Sequence, residues 1–188
     1  LGKEVRANMD VGREVGVPYD VEWVLVDEPD HEDDTDMNRT RLRGLTPVRF
    51  QAQDKGAAVF NRQEGAWVGG GKVYFDCTEG GPSTLGQVWE YDPGRETVTL
   101  IYESSDQRFL KHPDNIVIVP QTGDMFVCQD SSFQPQRIQG LTLDGEIYDF
   151  AVSLQNETEF AGACFDPDGQ TLFVNQYGIR SVQDLPAG

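Results

Sequence analysis

From residue 64 onward, apolar and polar side chains alternate over short runs, and glycine-, proline- and aspartate-rich turns separate the runs. Alternation with a period of two, among β-branched and aromatic residues, predicts strands with one buried face. The first series of such runs covers residues 65–68, 72–77, 86–91 and 97–102. Four strands in about 40 residues match the size of one blade of a β-propeller, so we interpret this series as a blade.

Two further series follow the same order. The second covers residues 116–119, 124–128, 137–142 and 146–150, and its last two runs are joined by the hairpin dipeptide Asp144-Gly145. The third begins near residue 159 and gives a clear strand pattern only as far as residue 175. Upstream, residues 21–27 predict the inner strand of an earlier blade. We therefore predict an all-β fold, a β-propeller of which this chain holds about three to three and a half four-stranded blades.

One short helix interrupts the strand pattern. Thr46 is suited to cap it, Pro47 suits its first turn, and Gly56 marks its end. We expect the chain to be the carboxy-terminal part of a single propeller domain, because closed propellers have about four to eight blades. An amino-terminal half or another copy of the chain would close the ring. In chain order we assign a partial blade and acidic loop to residues 19–45, the helix to 46–57, blades to 60–104 and 112–153, and a partial blade to 158–177.

The charge of the chain limits its partners. The formal net charge is −17, and a surface of this sign repels nucleic acid and anionic membranes, so we expect neither as a partner. No apolar run approaches the ~20 residues of a membrane-spanning helix. The most acidic stretch, residues 27–36, spaces its acids as a calcium loop does. It lacks the glycine and the final glutamate of an EF-hand, so we interpret it as a solvated loop, with calcium binding as the alternative.

Cysteine and histidine give little sign of catalytic chemistry. The three cysteines, Cys77, Cys128 and Cys164, lack the spacing of a zinc site, and we expect buried, unpaired thiols that pack as small apolar side chains. The two histidines, His31 and His112, stand in no pattern that resembles a Ser-His-Asp triad.

Three acidic residues, Glu64, Asp114 and Glu159, open the three strand series at steps of 50 and 45 residues. Residues at the same place on the innermost strands of successive blades converge at one mouth of a propeller channel. Converging carboxylates repel one another unless a cation neutralises them, so the spacing predicts a metal site with one ligand from each blade. Arg62 lies two residues before Glu64, and on an extended strand both side chains would face the same side.

These residues also have structural interpretations. Arg62 and Glu64 would then form a surface ion pair at the end of a strand, worth about 0.5 kcal/mol. Asp114 follows a proline and would bond to its own backbone in a turn. Asp130, which comes after the run 124–128, is interpreted as a structural residue at the end of an outer strand.

Two long segments, FNRQEGAW at 60–67 and FAGACFDPDGQTLFVN at 160–175, carry a family signature. Four shorter ones accompany them: GKVYF at 71–75, TEGG at 78–81, GQVWEY at 86–91 and PDN at 113–115. Together these segments resemble the PhoX-type alkaline phosphatase family over about residues 19–177. The two long motifs are specific, whereas a Pro-Asp-Asn triplet alone would be weak evidence.

The resemblance implies a six-bladed propeller, exported by the twin-arginine route and therefore periplasmic or secreted. It implies hydrolysis of phosphate monoesters with calcium and iron at the mouth of the channel. Arg62 would bind the substrate phosphate, and Glu64, Asp114 and Glu159 would bind the metals. The family's other ligands, including an iron-binding cysteine, belong to the amino-terminal half, so that cysteine role is not assigned to any cysteine here.

Three functions follow from these observations. The first is a metal-dependent phosphate monoester hydrolase, with small phosphate esters and metal ions as its partners. The second is a non-catalytic propeller that binds a cation or a partner protein. The third is a calcium-dependent hydrolase similar to lactonase propellers, which also take one acid from each blade.

Overall fold

A computed structural model describes residues 7–29, 47–131, 135–154 and 158–177. These residues contain eleven strands in three antiparallel sheets and one short helix, which confirms the all-β prediction. Within the described ranges none of the three sheets closes on itself. In chain order the elements are β1 (Pro18–Asp20), α1 (Val48–Asp54), β2 (Gln63–Gly69), β3 (Lys72–Cys77), β4 (Gln87–Asp92), β5 (Thr97–Glu103), β6 (Pro113–Ile118), β7 (Met125–Gln129), β8 (Arg137–Leu141), β9 (Ile147–Val152), β10 (Phe160–Phe165) and β11 (Leu172–Gln176).

In each sheet consecutive strands are neighbours, except that β1 joins the first sheet beside β5. The first sheet has the order β1-β5-β4-β3-β2, the second β6-β7-β8-β9, and the third is the hairpin β10-β11. The β2–β3 turn shows how sequence directs this topology. Its two residues, Gly70 and Gly71, both have positive φ, 58° and 79°, and such two-residue turns match the twist of an antiparallel pair.

The predicted inner strand at residues 21–27 is wrong. The strand in this region is β1, and it extends the outer edge of the first sheet by pairing with β5. Val21 packs against a hydrophobic core, but Trp23 and Leu25 are 79% and 78% exposed, so the run does not alternate between a buried and an exposed face as a strand would. Trp23 instead donates from Nε1 to the hydroxyl of Tyr91 and packs edge-on against that ring. Apolar residues therefore did not by themselves specify a buried strand here.

Helix α1 lies within the predicted segment. Pro47 is its N-cap residue, and the Pro47 carbonyl accepts hydrogen bonds from the backbone N–H groups of Phe50 and Gln51. Gly56, with φ 100°, follows the C-cap residue Lys55. No helix in the described ranges has the length and apolarity that crossing a membrane requires. The proposed cap Thr46 and most of the acidic loop lie outside the described residues.

Alternate residues of β6 face two different hydrophobic cores. Ile116 packs in the core between the first two sheets, and Val117 packs in the core between the second and third. Both side chains are fully buried. Because this part of β6 is covered on both faces, residues 116–119 form a continuous apolar run rather than an alternation.

Strands β2, β6 and β10, each at one edge of its sheet and predicted to be innermost, lie side by side and are called the innermost strands below. Strand β2 approaches β6 so closely at Gly65 that a Cβ there would lie 2.8 Å from both the Cα of Asn115 and the N of Ile116. On its other side β6 is linked to β10, because the backbone N–H of Ala163 donates to Oδ1 of Asn115 at 2.9 Å. The packing of these three strands brings their amino-terminal ends together.

The cysteine prediction is confirmed for two residues. Cys77 and Cys128 are fully buried, Cys164 is half-buried, and all three are unpaired. Burial raises the pKa of the Cys77 and Cys128 thiols to about 12, so both pack as neutral thiols at physiological pH.

Gly65→Ala should lower the free energy of unfolding by about 1–3 kcal/mol, because the added methyl group has no space between β2 and β6. The matched control is Gly94→Ala, where the nearest neighbour is the Asp92 side-chain oxygen at 3.3 Å; it should change stability by less than about 0.5 kcal/mol. Urea denaturation followed by tryptophan fluorescence measures both. Equal losses in the two variants would contradict the close packing.

Candidate functional site

Glu64 and Asp114 occupy equivalent positions on neighbouring strands. The first cross-strand pair of β2 and β3 is Gln63–Cys77, and that of β6 and β7 is Pro113–Gln129. Glu64 and Asp114 each follow the first residue of such a pair, and a register shift follows in both strands. The sequence repeat therefore corresponds to a structural repeat for these two residues.

Glu159 does not occupy the equivalent position. The first pair of the third hairpin is Phe160–Gln176, so Ala161 matches Glu64 and Asp114, while Glu159 lies one residue before its strand. Backbone hydrogen bonds give the same result. The carbonyl oxygens of Arg62, His112 and Glu159 each accept from the residue that follows the paired strand, Thr78, Asp130 and Tyr177, at 2.8–2.9 Å. The predicted equivalence is wrong for Glu159, because spacing does not reveal a one-residue change of register.

Glu159 nevertheless turns toward the same region. Burial raises the pKa of its carboxyl, and the charge of Asp130, a hydrogen bond with Asp130 and the charge of Asp114 raise it further. Burial likewise raises the pKa of Asp114. The charges of Glu64 and Asp130 raise it further, and the charge of Arg62 lowers it. The structure thus brings Glu64, Asp114 and Glu159 into one electrostatic group.

Asp130 is a member of this group that sequence reasoning placed elsewhere. It directly follows β7, the strand next to the innermost one, and its backbone N–H donates to the carbonyl of His112 at 2.9 Å. The charge of Asp130 contributes to the raised pKa values of both Glu159 and Asp114. Its predicted place at the end of a strand outside the innermost one is confirmed, and the charge it adds to the site was not predicted. The hairpin itself was the available signal. In an antiparallel pair the start of the first strand lies beside the end of the second, so a residue that follows β7 lies near the start of β6.

Asp76, in β3, is a second residue that the sequence did not single out. It is fully buried, and Oδ1 accepts from the backbone N–H of Gly65 at 3.0 Å, whereas Oδ2 has no hydrogen-bond partner among the described residues. Burial raises the pKa of Asp76 to about 7. The hydrogen bond from Gly65 lowers it, and the charges of Asp114 and Glu64 raise it further. A buried carboxyl beneath the backbone of Glu64 thus adds to the negative potential of the site. We call Glu64, Asp76, Asp114, Asp130 and Glu159 the carboxylate cluster.

Arg62 lies beside the carboxylate cluster but not on an extended strand. It precedes β2 and has φ 54°, in the left-handed region. Its Nη1 donates to Oε1 of Glu79 at 2.8 Å, whereas Nη2 is 4.0 Å from Oε1 of Glu64, beyond hydrogen-bond distance. The hydrogen bond and charge of Glu79 raise the pKa of Arg62, with smaller effects from Glu64 and Asp130. The principal partner of Arg62 is therefore Glu79. Arg62 and Glu64 were expected to face the same side of one extended strand, but Arg62 is not extended.

The donor chemistry of the carboxylate cluster fits a hard cation. Its members are oxygen ligands, the pKa values of three of them are raised, and one buried oxygen of Asp76 has no described partner. The arrangement is looser than a closed cage. In the described ranges no group of three or more histidine, cysteine, aspartate or glutamate side chains is arranged to hold a metal ion. Calcium and iron therefore stay predictions.

Comparison with known proteins gave one match. The family model described as alkaline phosphatase PhoX matches residues 6–178, which include Arg62 and the whole carboxylate cluster. No curated protein and no solved structure matched the chain.

Asp76→Asn should be more stable than the natural protein at pH 8, and the difference should vanish toward pH 4. The pKa of Asp76 is about 7 in the folded state, above the ordinary 3.8. Its contribution to the free energy of unfolding is therefore fully present below about pH 4 and is lost as the pH rises to about 7. The loss is at most about 1.4 kcal/mol per pH unit over that window. Urea denaturation at each pH, with chelator present, measures it.

Asp106→Asn is the control of opposite sign. Hydrogen bonds from Arg108 lower the pKa of Asp106 to about 2, so its stabilisation is present above 3.8 and is lost as pH falls through about 2. This variant should therefore be less stable than the natural protein at pH 8. Parallel pH curves for Asp76→Asn and the natural protein would show that Asp76 is not buried as described.

Proposed function

Because this chain belongs to the alkaline phosphatase PhoX family, we propose that it hydrolyses phosphate monoesters with the help of a bound metal. The observation that carries the proposal is the convergence of Arg62 and the carboxylate cluster at the ends of three neighbouring strands. A fold alone supports many functions, so the side chains at this site are the stronger argument.

The three sheets would be successive blades of a β-propeller. Two of them are four-stranded meanders over β2–β5 and β6–β9, and the innermost strand of each sheet lies beside that of the next. Closed propellers have about four to eight blades, and the family resemblance implies six. We propose that another part of the protein or a second copy closes the ring.

A metal in this site would be held by the carboxylates of Glu64, Asp114 and Glu159, with calcium and iron as the candidates. When bound, it would supply Lewis acidity toward the phosphate and lower the pKa of water. Arg62 would bind two oxygens of the phosphate, since a guanidinium presents planar, paired donors. Its half-exposed side chain is accessible to a ligand from solvent.

Charge determines the order of binding. A phosphate monoester is largely a dianion at neutral pH, and an uncompensated carboxylate cluster would repel it. Arg62 already neutralises Glu79, so it cannot balance the carboxylate cluster alone. We therefore expect substrate to bind only when cations are present. Family resemblance further suggests an exported protein, in the periplasm or outside the cell.

Arg62→Ala and Glu64→Ala should each lower kcat/KM for p-nitrophenyl phosphate by about 100-fold or more, because each removes a charge that contacts phosphate or metal. The assay uses the protein at its natural length, with added calcium and iron. A chelator should abolish turnover, and readdition of metal should restore it. The control is Asp149→Asn, which removes a carboxylate of an Arg137 ion pair on the outer strands and should leave kcat/KM unchanged.

The same assay separates the competing functions. Calcium binding by calorimetry without turnover of any ester would favour the non-catalytic propeller. Turnover of a lactone in place of the phosphate ester would favour the lactonase-like hydrolase. Phosphatase activity that survives in Arg62→Ala and Glu64→Ala would contradict the proposed site.

A further inference from the structure

Arg62 is attached to the loop after β3 by its main chain and its side chain. Its carbonyl accepts from the backbone N–H of Thr78 at 2.8 Å, and its Nη1 donates to Oε1 of Glu79 at 2.8 Å. The neighbouring Asn61 adds a third link, because its Nδ2 donates to the carbonyl of Glu79 at 3.0 Å. Thr78 thus holds the backbone of Arg62, and the next residue, Glu79, holds one edge of its guanidinium.

The loop that carries Glu79 is itself fixed. The Thr78 hydroxyl is buried and donates to the carbonyl of Pro113 at 2.9 Å, directly before Asp114. Gly80 packs so tightly that a Cβ would lie 2.5 Å from Oε1 of the buried Gln87. The backbone N–H of Gly81 donates to Oδ1 of Asp10 at 3.0 Å. The loop of residues 78–81 is therefore fixed by several contacts. It carries Glu79 and is hydrogen-bonded to β6 directly before Asp114.

We propose that Glu79 is a positioning residue that holds the Arg62 guanidinium in the orientation required to bind phosphate. This inference rests on the proposed function. Glu79 accepts from one of the five N–H groups of Arg62, through Nη1, and Nη2 points to the side of Glu64 at 4.0 Å. The edge away from Glu79 therefore faces the carboxylate cluster, where the phosphate would lie.

Glu79 has two separable effects on an anion. Its hydrogen bond orders a long side chain, which lowers the entropy lost when Arg62 binds phosphate. Its negative charge opposes the same anion. A glutamine would keep an oxygen acceptor for Nη1 but lose the charge, whereas alanine would lose both. The two substitutions should therefore act in different directions on phosphate binding.

The experiment measures inhibition by inorganic phosphate and turnover of p-nitrophenyl phosphate in the metal-loaded protein at its natural length. Glu79→Gln should tighten inhibition by about three- to tenfold with kcat nearly unchanged, because a partly screened negative charge is removed. Glu79→Ala should lower kcat/KM by about tenfold or more. Thermal unfolding checks that each variant is folded. Asp149→Asn, which also removes a carboxylate from an arginine pair, should change neither constant.

A double-mutant cycle tests whether Glu79 acts through Arg62. In the Arg62→Ala background, Glu79→Ala should no longer weaken phosphate inhibition and, because it removes a negative charge, should leave it equal or tighter; a further loss in this background would overturn the inference. If Arg62→Ala weakens inhibition but both Glu79 variants match the natural protein, the inference fails and the proposed function stands. If Arg62→Ala itself leaves phosphate inhibition unchanged, the proposed phosphate site fails, and the role of Glu79 fails with it. Should Glu79→Ala not fold, Glu79→Ser replaces it in the cycle, because serine also removes the oxygen that accepts from Nη1 of Arg62.

Discussion

The close approach of β2 to β6 is the contact on which the site depends. At Gly65 the two backbones leave no space for a Cβ, and the buried carboxyl of Asp76 lies beneath the same residue. Glu64 precedes Gly65, and Asp114 precedes Asn115, which faces it. One backbone contact therefore sets the separation of two carboxylates from different sheets. The link from Asn115 to Ala163 extends this arrangement to the third sheet.

Such packing stores electrostatic repulsion. Five carboxyl groups lie in one region, and burial and mutual charge raise the pKa values of Asp76, Asp114 and Glu159. A fold gains nothing in stability by grouping like charges, so the contacts of the surrounding cores must compensate for the repulsion. Protonation can relieve part of it, and so can a cation. The arrangement is costly for a scaffold and useful for a site that binds cations.

Sequence reasoning recovered what depends on local pattern. Strand alternation gave the two complete meanders, and the spacing of Glu64 and Asp114 identified truly equivalent positions. It did not predict positions that depend on strand register or on contacts between distant parts of the chain. Glu159 is one residue away from the equivalent position. Asp130 and Asp76 enter the group through strand pairing, which composition does not reveal. The apolar run near Trp23 resembles a strand, but it is not one, and its Trp23 and Leu25 side chains are largely exposed.

The three equivalent positions before the innermost strands carry different chemistry. They are occupied by Arg62, His112 and Glu159, whose carbonyls make the same hydrogen bond to the paired strand. Arg62 and His112 have positive φ, 54° and 49°, a strained conformation for residues other than glycine that the neighbouring structure must enforce. A ring of identical carboxylates would attract a cation without giving direction to a phosphate. One guanidinium, fixed at one position of the repeat, makes the site asymmetric, and under the proposed function such a site would orient an ester with its phosphate toward Arg62.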